Sequence, residues 1–113
     1  MIDDEMFRTS RSYHAEDTKV VAGGFSVGAG SFAFIAGPCS VENYETTLAI
    51  ALEVKKAGAG MLRGGAFKPR ASPFSFQGLG KEGIEILTGV SRETGLPVVS
   101  EITDPRQIEM FEK

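Results

Sequence analysis

Arg63, Lys68 and Arg70 stand within eight consecutive residues, and two guanidinium groups with an ammonium between them suit an anionic ligand. Arginine offers a planar fork of N–H donors that matches a carboxylate or phosphate by two parallel hydrogen bonds, and lysine adds a compact point charge. Gly64-Gly65 lets a ligand come close to the backbone, and Pro69 stiffens the chain between Lys68 and Arg70. The residues alone leave two readings open, an anion site and an ordinary charged loop. Cys39 is a soft metal ligand or nucleophile in principle, although a lone cysteine after a strand is more often a small buried side chain. His14 lies in a polar stretch and reads as a surface residue. Glu101 and Asp104 place two carboxylates further along the chain.

Charge is distributed in a way that favours the anion site. The chain of 113 residues carries a net charge of −3, which argues against general nucleic-acid binding. Between Glu53 and Glu82 there is no acidic residue, yet that stretch holds Lys55, Lys56, Arg63, Lys68, Arg70 and Lys81, half of the 12 basic residues. Lys55 and Lys56 read as a solvated helix face. Hydrophobic residues make up 42% and charged residues 24%, an ordinary globular balance. No run approaches the about 18 apolar residues of a membrane helix. The acidic start, Met1-Ile2-Asp3-Asp4-Glu5, is unlike a secretory signal. With a single cysteine, an intrachain disulfide is ruled out and a reducing cytoplasm is the expected compartment.

The elements that must position these residues can be read from the apolar pattern. Residues 1–17 form a polar lead-in arm. Thr18–Val21 and Gly24–Val27 read as a short β-hairpin around Gly23, and Gly28-Ala29-Gly30 as a second turn. Phe32–Ala36 is apolar throughout and reads as a buried parallel strand. Residues 44–57 form a helix with Tyr44, Leu48, Ala51, Leu52 and Lys55 at helical spacing, stopped by Gly58. Met61–Gly64 is a second strand. Gly65–Gly80 is a long loop rich in Gly, Pro, Ser and Phe, and a loop of that length in a compact domain is usually functional; Phe67, Phe74 and Phe76 are expected to anchor it by packing. Residues 81–94 form a helix with Ile84, Leu87 and Val90 on one face, closed by Gly95. Leu96–Ile102 is a third strand, and Asp104-Pro105 opens another helix as N-cap and first residue.

Alternating strands and helices imply an α/β fold with a parallel sheet and crossover helices. About three βα units cannot close an eight-stranded barrel of about 250 residues. The sequence is therefore a small open sheet or the first part of a (β/α)8 barrel, and the helix that runs to Lys113 without a terminating signal favours the barrel. In parallel α/β folds ligands bind at the carboxyl ends of strands. Cys39, Lys68 and Arg70 follow strands, Arg63 stands at the end of the second, and Glu101 and Asp104 lie at the end of the third, so they are expected to converge there.

Two segments carry a resemblance. Ile35-Ala36-Gly37-Pro38-Cys39-Ser40-Val41-Glu42 resembles the first-strand signature of the 3-deoxy-D-arabino-heptulosonate 7-phosphate (DAHP) synthases. Leu62–Arg70 followed by Ser72–Gly80 resembles the second-strand loop of the short microbial subtype, and Pro97–Glu101 is similar to the third strand. The resemblance implies that residues 18–113 are the N-terminal part of a TIM (β/α)8 barrel. It implies condensation of phosphoenolpyruvate with D-erythrose 4-phosphate, the first step of the shikimate pathway. It further implies Cys39 as one ligand of a divalent metal ion (Mn, Fe or Zn) that acts as a Lewis acid on the sugar aldehyde. Arg63 and Lys68 would bind phosphoenolpyruvate, with Lys68 the catalytic residue, and Arg70 would bind the phosphate of erythrose 4-phosphate. Pro69, Ser72 and Glu101 are further substrate-binding positions, and the implied assembly is a homo-oligomer with no nucleic-acid or membrane partner.

Two departures qualify this. Ala71 stands where the family usually has a threonine, and the family's other metal ligands, a His, a Glu and an Asp, belong to later strands. The 113-residue segment alone is therefore expected to be inactive. The nearest alternative is a 3-deoxy-D-manno-octulosonate 8-phosphate synthase, against which Lys68-Pro69-Arg70 speaks, and a different class of alternative is a non-catalytic truncated product. As a residue of a surface loop, Lys68 is expected to contribute less than about 0.5 kcal/mol to stability.

Overall fold

The computed structural model describes residues 8–68, 71–74 and 77–112. The chain divides into two compact units, Met1–Ala33 and Phe34–Lys113, so the lead-in and the first two strands fall in one unit. Strands β1 (Val20–Ala22) and β2 (Phe25–Val27) pair antiparallel, with Val20 opposite Val27 and Ala22 opposite Phe25. Gly23 and Gly24 between them both have positive φ, 52° and 80°, as a tight two-residue turn that matches strand twist requires. Ahead of the strands, Arg11 and Asp17 form an exposed ion pair at 2.6 Å.

The second unit runs β3 (Ile35–Ala36), α1 (Tyr44–Lys56), β4 (Met61–Arg63), α2 (Lys81–Thr94), β5 (Val98–Val99), a 3-10 turn (Pro105–Gln107) and α3 (Ile108–Phe111). Its sheet has the order β3-β4-β5, all parallel, with Ala36 opposite Leu62 and Leu62 opposite Val98. All three strands thus end on the same side. The middle strand is the most buried: Met61 is 5% exposed and Leu62 not at all. Around Leu62 the core gathers Val41, Ala51, Leu87, Val90 and Leu96, with Leu48, Val54, Leu79, Ile86 and Val98 packed against it.

Local chemistry explains the helices. Asn43 caps α1 by accepting the Thr46 N–H at 2.8 Å. Glu45 in the first turn and Lys55 and Lys56 in the last complement the helix dipole. Gly95 closes α2 in the left-handed conformation at φ 75°. Tyr44 of α1 donates its hydroxyl to the Glu93 carboxylate of α2, and that bond raises the tyrosine pKa above its ordinary value. Lys55 is not simply solvated, because its ammonium donates to the Thr94 carbonyl at the end of α2.

Several expectations need correction. The first strand is two residues long, and Phe32 (88% exposed), Phe34 and Ile35 lie open rather than buried. Its only sheet partner among the described residues is β4, so apolar composition alone did not place it inside. The third strand is Val98–Val99, not Leu96–Ile102, since Ser100 and Glu101 leave the ladder. On α1 the inward positions are Thr47, Leu48, Ala51 and Val54, while Leu52 is half exposed. Thr47 can be buried because its hydroxyl donates to the Asn43 carbonyl at 2.7 Å. Phe67 does pack, 6.0 Å from the Phe111 ring, but Phe74 is 97% exposed and Phe76 lies outside the described residues. Among the described residues no helix is long and apolar enough to cross a membrane.

Asp104 and Pro105 open the last helical segment as expected, through a 3-10 turn rather than directly. The Asp104 carboxylate accepts the Arg106 N–H at 2.9 Å and pairs with its guanidinium, which together hold its pKa below the ordinary carboxylate range. A depressed pKa stabilises the folded form above the unfolded value of about 3.9 and loses that contribution as pH falls through the folded value. Titration from pH 6 to 2 should therefore leave the Arg106 amide, which the carboxylate accepts, protected through the ordinary carboxylate range and release it only below that range. Asp104→Asn, which keeps the cap but not the charge, should flatten that step in an amide-exchange profile.

Candidate functional site

The carboxyl end of β4 is where the chemistry gathers. Arg63 ends the strand, half-buried, and its Nη1 donates to the Pro38 carbonyl at 3.3 Å. Among the described residues it makes no ion pair. The next two residues are bolted to both neighbouring segments. Gly64 donates to the Val99 carbonyl at 3.1 Å, and the Gly65 carbonyl accepts the Val41 N–H at 2.9 Å. The Ser100 hydroxyl donates to the Gly64 carbonyl at 2.6 Å.

Gly65 is required by close approach. A Cβ there would lie 2.6 Å from the Cys39 carbonyl oxygen and would collide with Cε and Nζ of Lys68. The Lys68 side chain therefore folds back across Gly65. Its side chain is only 5% exposed, and its ammonium sits 2.8 Å from Oε2 of Glu101, whose side chain is 37% exposed. Lys68 is thus a buried, ion-paired cation rather than a surface-loop lysine. Two backbone bonds close the loop behind it: Lys68 N–H to the Gln77 carbonyl at 2.7 Å, and Gly80 N–H to the Ala66 carbonyl at 2.8 Å.

The fold brings together Cys39, Arg63, Lys68 and Glu101 at the carboxyl ends of the parallel strands, with Arg63 the last residue of β4 and the others beyond β3, β4 and β5. Cys39 is exposed, not buried, and borders a hollow of about 390 Å3 with Pro38, Ser40, Glu42 and Thr46. A larger groove of about 680 Å3, between α2 and the 3-10 turn with α3, is lined by Ile84, Arg92 and Met110 among others and holds none of the candidate residues. Asp104 does not join the site, because its carboxylate caps its own turn and binds Arg106. His14 belongs to the other unit and contacts the Glu16 carbonyl through Nδ1 at 2.7 Å. Ser72 is exposed and accepts the Phe74 N–H at 3.3 Å. Ala71 is exposed, and Pro69 and Arg70 lie outside the described residues.

As a metal centre the described residues are insufficient. No three His, Cys, Asp or Glu side chains among them gather closely enough to hold an ion, and a catalytic site needs about three protein ligands. Chemically, the described arrangement offers groups that could receive an anion: a guanidinium fork on a strand end and a buried ammonium beside a carboxylate. Sequence reasoning missed Ser100. The available signal was a hydroxyl residue directly after Val98-Val99, where backbone pairing gives out.

Comparison with known proteins adds the following. The model of the DAHP synthetase I family matches residues 12–113. A phospho-2-dehydro-3-deoxyheptonate aldolase of Thermotoga maritima is 48% identical over 92 residues, covering 81% of this chain and 27% of that protein. A 2-dehydro-3-deoxyphosphooctonate aldolase of Syntrophotalea carbinolica is 46% identical over 84 residues, covering 68% of this chain and 30% of that protein. Among solved structures, the crystal structure of the Thermotoga maritima DAHP synthase superposes with a TM-score of 0.77 at 44% identity, over 89% of this chain and 29% of that one. The chain thus spans about a third or less of the length of these relatives.

Proposed function

We propose a function from one premise: the chain belongs to the DAHP synthetase I family. On this reading residues 18–113 are the first part of a (β/α)8 barrel, with residues 1–17 as a lead-in. The barrel joins C3 of phosphoenolpyruvate to the aldehyde carbon of D-erythrose 4-phosphate. Water adds at C2 and phosphate leaves, giving 3-deoxy-D-arabino-heptulosonate 7-phosphate.

The observation that carries the reading is the Lys68 ammonium, desolvated to 5% exposure and held at 2.8 Å by Glu101, at the strand end that also carries Arg63. A buried ammonium aligned in advance binds an anion without ordering cost at the moment of binding. Arg63 suits the carboxylate or phosphate of phosphoenolpyruvate as a two-bond fork, and Lys68 supplies a point charge to the same molecule. Glu101 keeps that charge in place and tempers it, so that product can leave. Arg70 is assigned to the phosphate of the sugar, with Pro69 and Ser72 flanking it. Cys39 would give one thiolate to a divalent ion, but the described residues do not make a metal site by themselves, and no step is drawn through one. The complete enzyme is expected to be a cytoplasmic homo-oligomer.

Similarity to octulosonate-forming relatives, at 46% identity, makes the sugar the point to test. An active enzyme carrying this sequence should release phosphate from phosphoenolpyruvate with erythrose 4-phosphate. With arabinose 5-phosphate the rate should be lower by at least about 100-fold, the discrimination that pocket fit and unpaired polar groups supply. A preference for arabinose 5-phosphate would transfer the chain to the octulosonate branch.

A further inference from the structure

We propose that Ser100 is a positioning residue whose hydroxyl, by holding the Gly64 carbonyl, fixes where the Lys68 ammonium stands. This rests on the reading of Lys68 as a phosphoenolpyruvate cation.

The β4–β5 ladder is made of backbone bonds up to its end, from Leu62 N–H to the Pro97 carbonyl at 2.8 Å and from Gly64 N–H to the Val99 carbonyl at 3.1 Å. The next acceptor in line is the Gly64 carbonyl. A parallel ladder would satisfy it from the backbone of the neighbouring strand, but regular pairing of β5 stops at Val99. The Ser100 hydroxyl satisfies it instead, at 2.6 Å. That carbonyl belongs to the peptide joining Gly64 to Gly65, and the Lys68 side chain packs against the Gly65 Cα that this peptide carries. Gly65 has no room even for a methyl group, because Cε and Nζ of Lys68 and the Cys39 carbonyl already occupy the space. A tilt of this peptide therefore moves the ammonium directly.

Ser100 also adjoins Glu101, whose carboxylate is the lateral support of the same ammonium at 2.8 Å. The floor under Lys68 and the carboxylate beside it are thus tied to adjacent residues, and one hydroxyl fixes the first to the backbone of the second. A hydroxyl that only satisfied a carbonyl at the sheet edge would affect folding. A hydroxyl that positions Lys68 affects the recognition of one substrate.

The test compares Ser100→Thr, which keeps the donor, with Ser100→Val, which has nearly the same shape without it, in an active enzyme carrying this sequence. We expect Ser100→Val to raise KM for phosphoenolpyruvate about tenfold, from a lost hydrogen bond and a displaced cation. Ser100→Thr should stay within about twofold, and KM for erythrose 4-phosphate should be unchanged to about twofold in both. Equal phosphoenolpyruvate KM values for the two variants would overturn the proposal. So would failure of both Ser100→Val and Ser100→Ala to fold while Ser100→Thr folds, since the hydroxyl would then be a folding determinant. Lys68→Met, measured alongside, separates the levels. If it leaves phosphoenolpyruvate use intact, the reading of the whole site falls, and the Ser100 proposal with it. If Lys68→Met impairs phosphoenolpyruvate use and Ser100→Val does not, only the role of Ser100 falls.

Discussion

Lys68→Ala is expected to lower kcat/KM for phosphoenolpyruvate by about 10- to 150-fold in an active enzyme carrying this sequence, the equivalent of losing a charge-assisted hydrogen bond of about 1.5–3 kcal/mol. The substitution should also destabilise the fold, contrary to what a surface loop would give. The Lys68 side chain is 5% exposed and fills the space over Gly65, so truncation leaves a hollow and removes the cation from Glu101. The carboxylate is 37% exposed, so water takes over much of its solvation, and the cost is set mainly by the lost stem at about 1–3 kcal/mol. Lys68→Met isolates the charge, because its unbranched chain still covers Gly65. Both variants should show the loss in phosphoenolpyruvate kinetics, and only Lys68→Ala should lower the melting temperature by several degrees. Wild-type phosphoenolpyruvate kinetics in Lys68→Met would remove Lys68 from the site.

Gly65→Ala is expected to be as damaging to activity, through a single methyl group. The new Cβ would stand 2.6 Å from the Cys39 carbonyl oxygen, well inside van der Waals contact, and no rotamer change relieves a backbone collision. Either the segment from Cys39 to Val41 moves away, at the expense of the 2.9 Å bond from Val41 N–H to the Gly65 carbonyl, or the Gly65 peptide tilts. Overpacking of this kind costs about 1–3 kcal/mol. In both cases the Lys68 ammonium leaves its place beside Glu101, and displacement by about 1 Å can cost about 100-fold in rate. A kcat/KM within threefold of wild type in a Gly65→Ala enzyme would show that the packing over Gly65 yields without consequence.

Much of the architecture was legible in the sequence because it depends on local signals. The helical spacing of Leu48 and Ala51, the stop at Gly95 and the apolar spacing of Leu87 and Val90 fix α1 and α2 within a residue or two of expectation, whereas the Asn43 cap was not read from the sequence. The strands were less legible. Phe32–Ala36 and Leu96–Ile102 read as strands more than twice the observed length of two residues each, but strand limits depend on pairing partners, which composition does not encode. The location of the site followed from parallel topology, since residues after each strand must collect at one end. Its internal wiring did not follow. That Lys68 is buried, that Glu101 rather than Asp104 meets it, and that Ser100 clamps Gly64 all depend on contacts 33 to 36 residues apart in sequence.

The two bonds that close the loop behind Lys68 have a consequence for how this region can change over time. With Ala66 tied to Gly80 and Lys68 tied to Gln77, the two ends of the intervening sequence are held at a fixed neck, as the ends of a replaceable cassette would be. Loop-closure entropy grows only with the logarithm of length, about 0.6 kcal/mol per doubling. Insertions, deletions and rewriting of that stretch therefore cost little, and the neck shields Arg63 and Lys68 from them. A lineage can revise the part of the site that lies in the cassette while the part anchored on β4 stays unchanged, so the two can evolve at different rates under different selection.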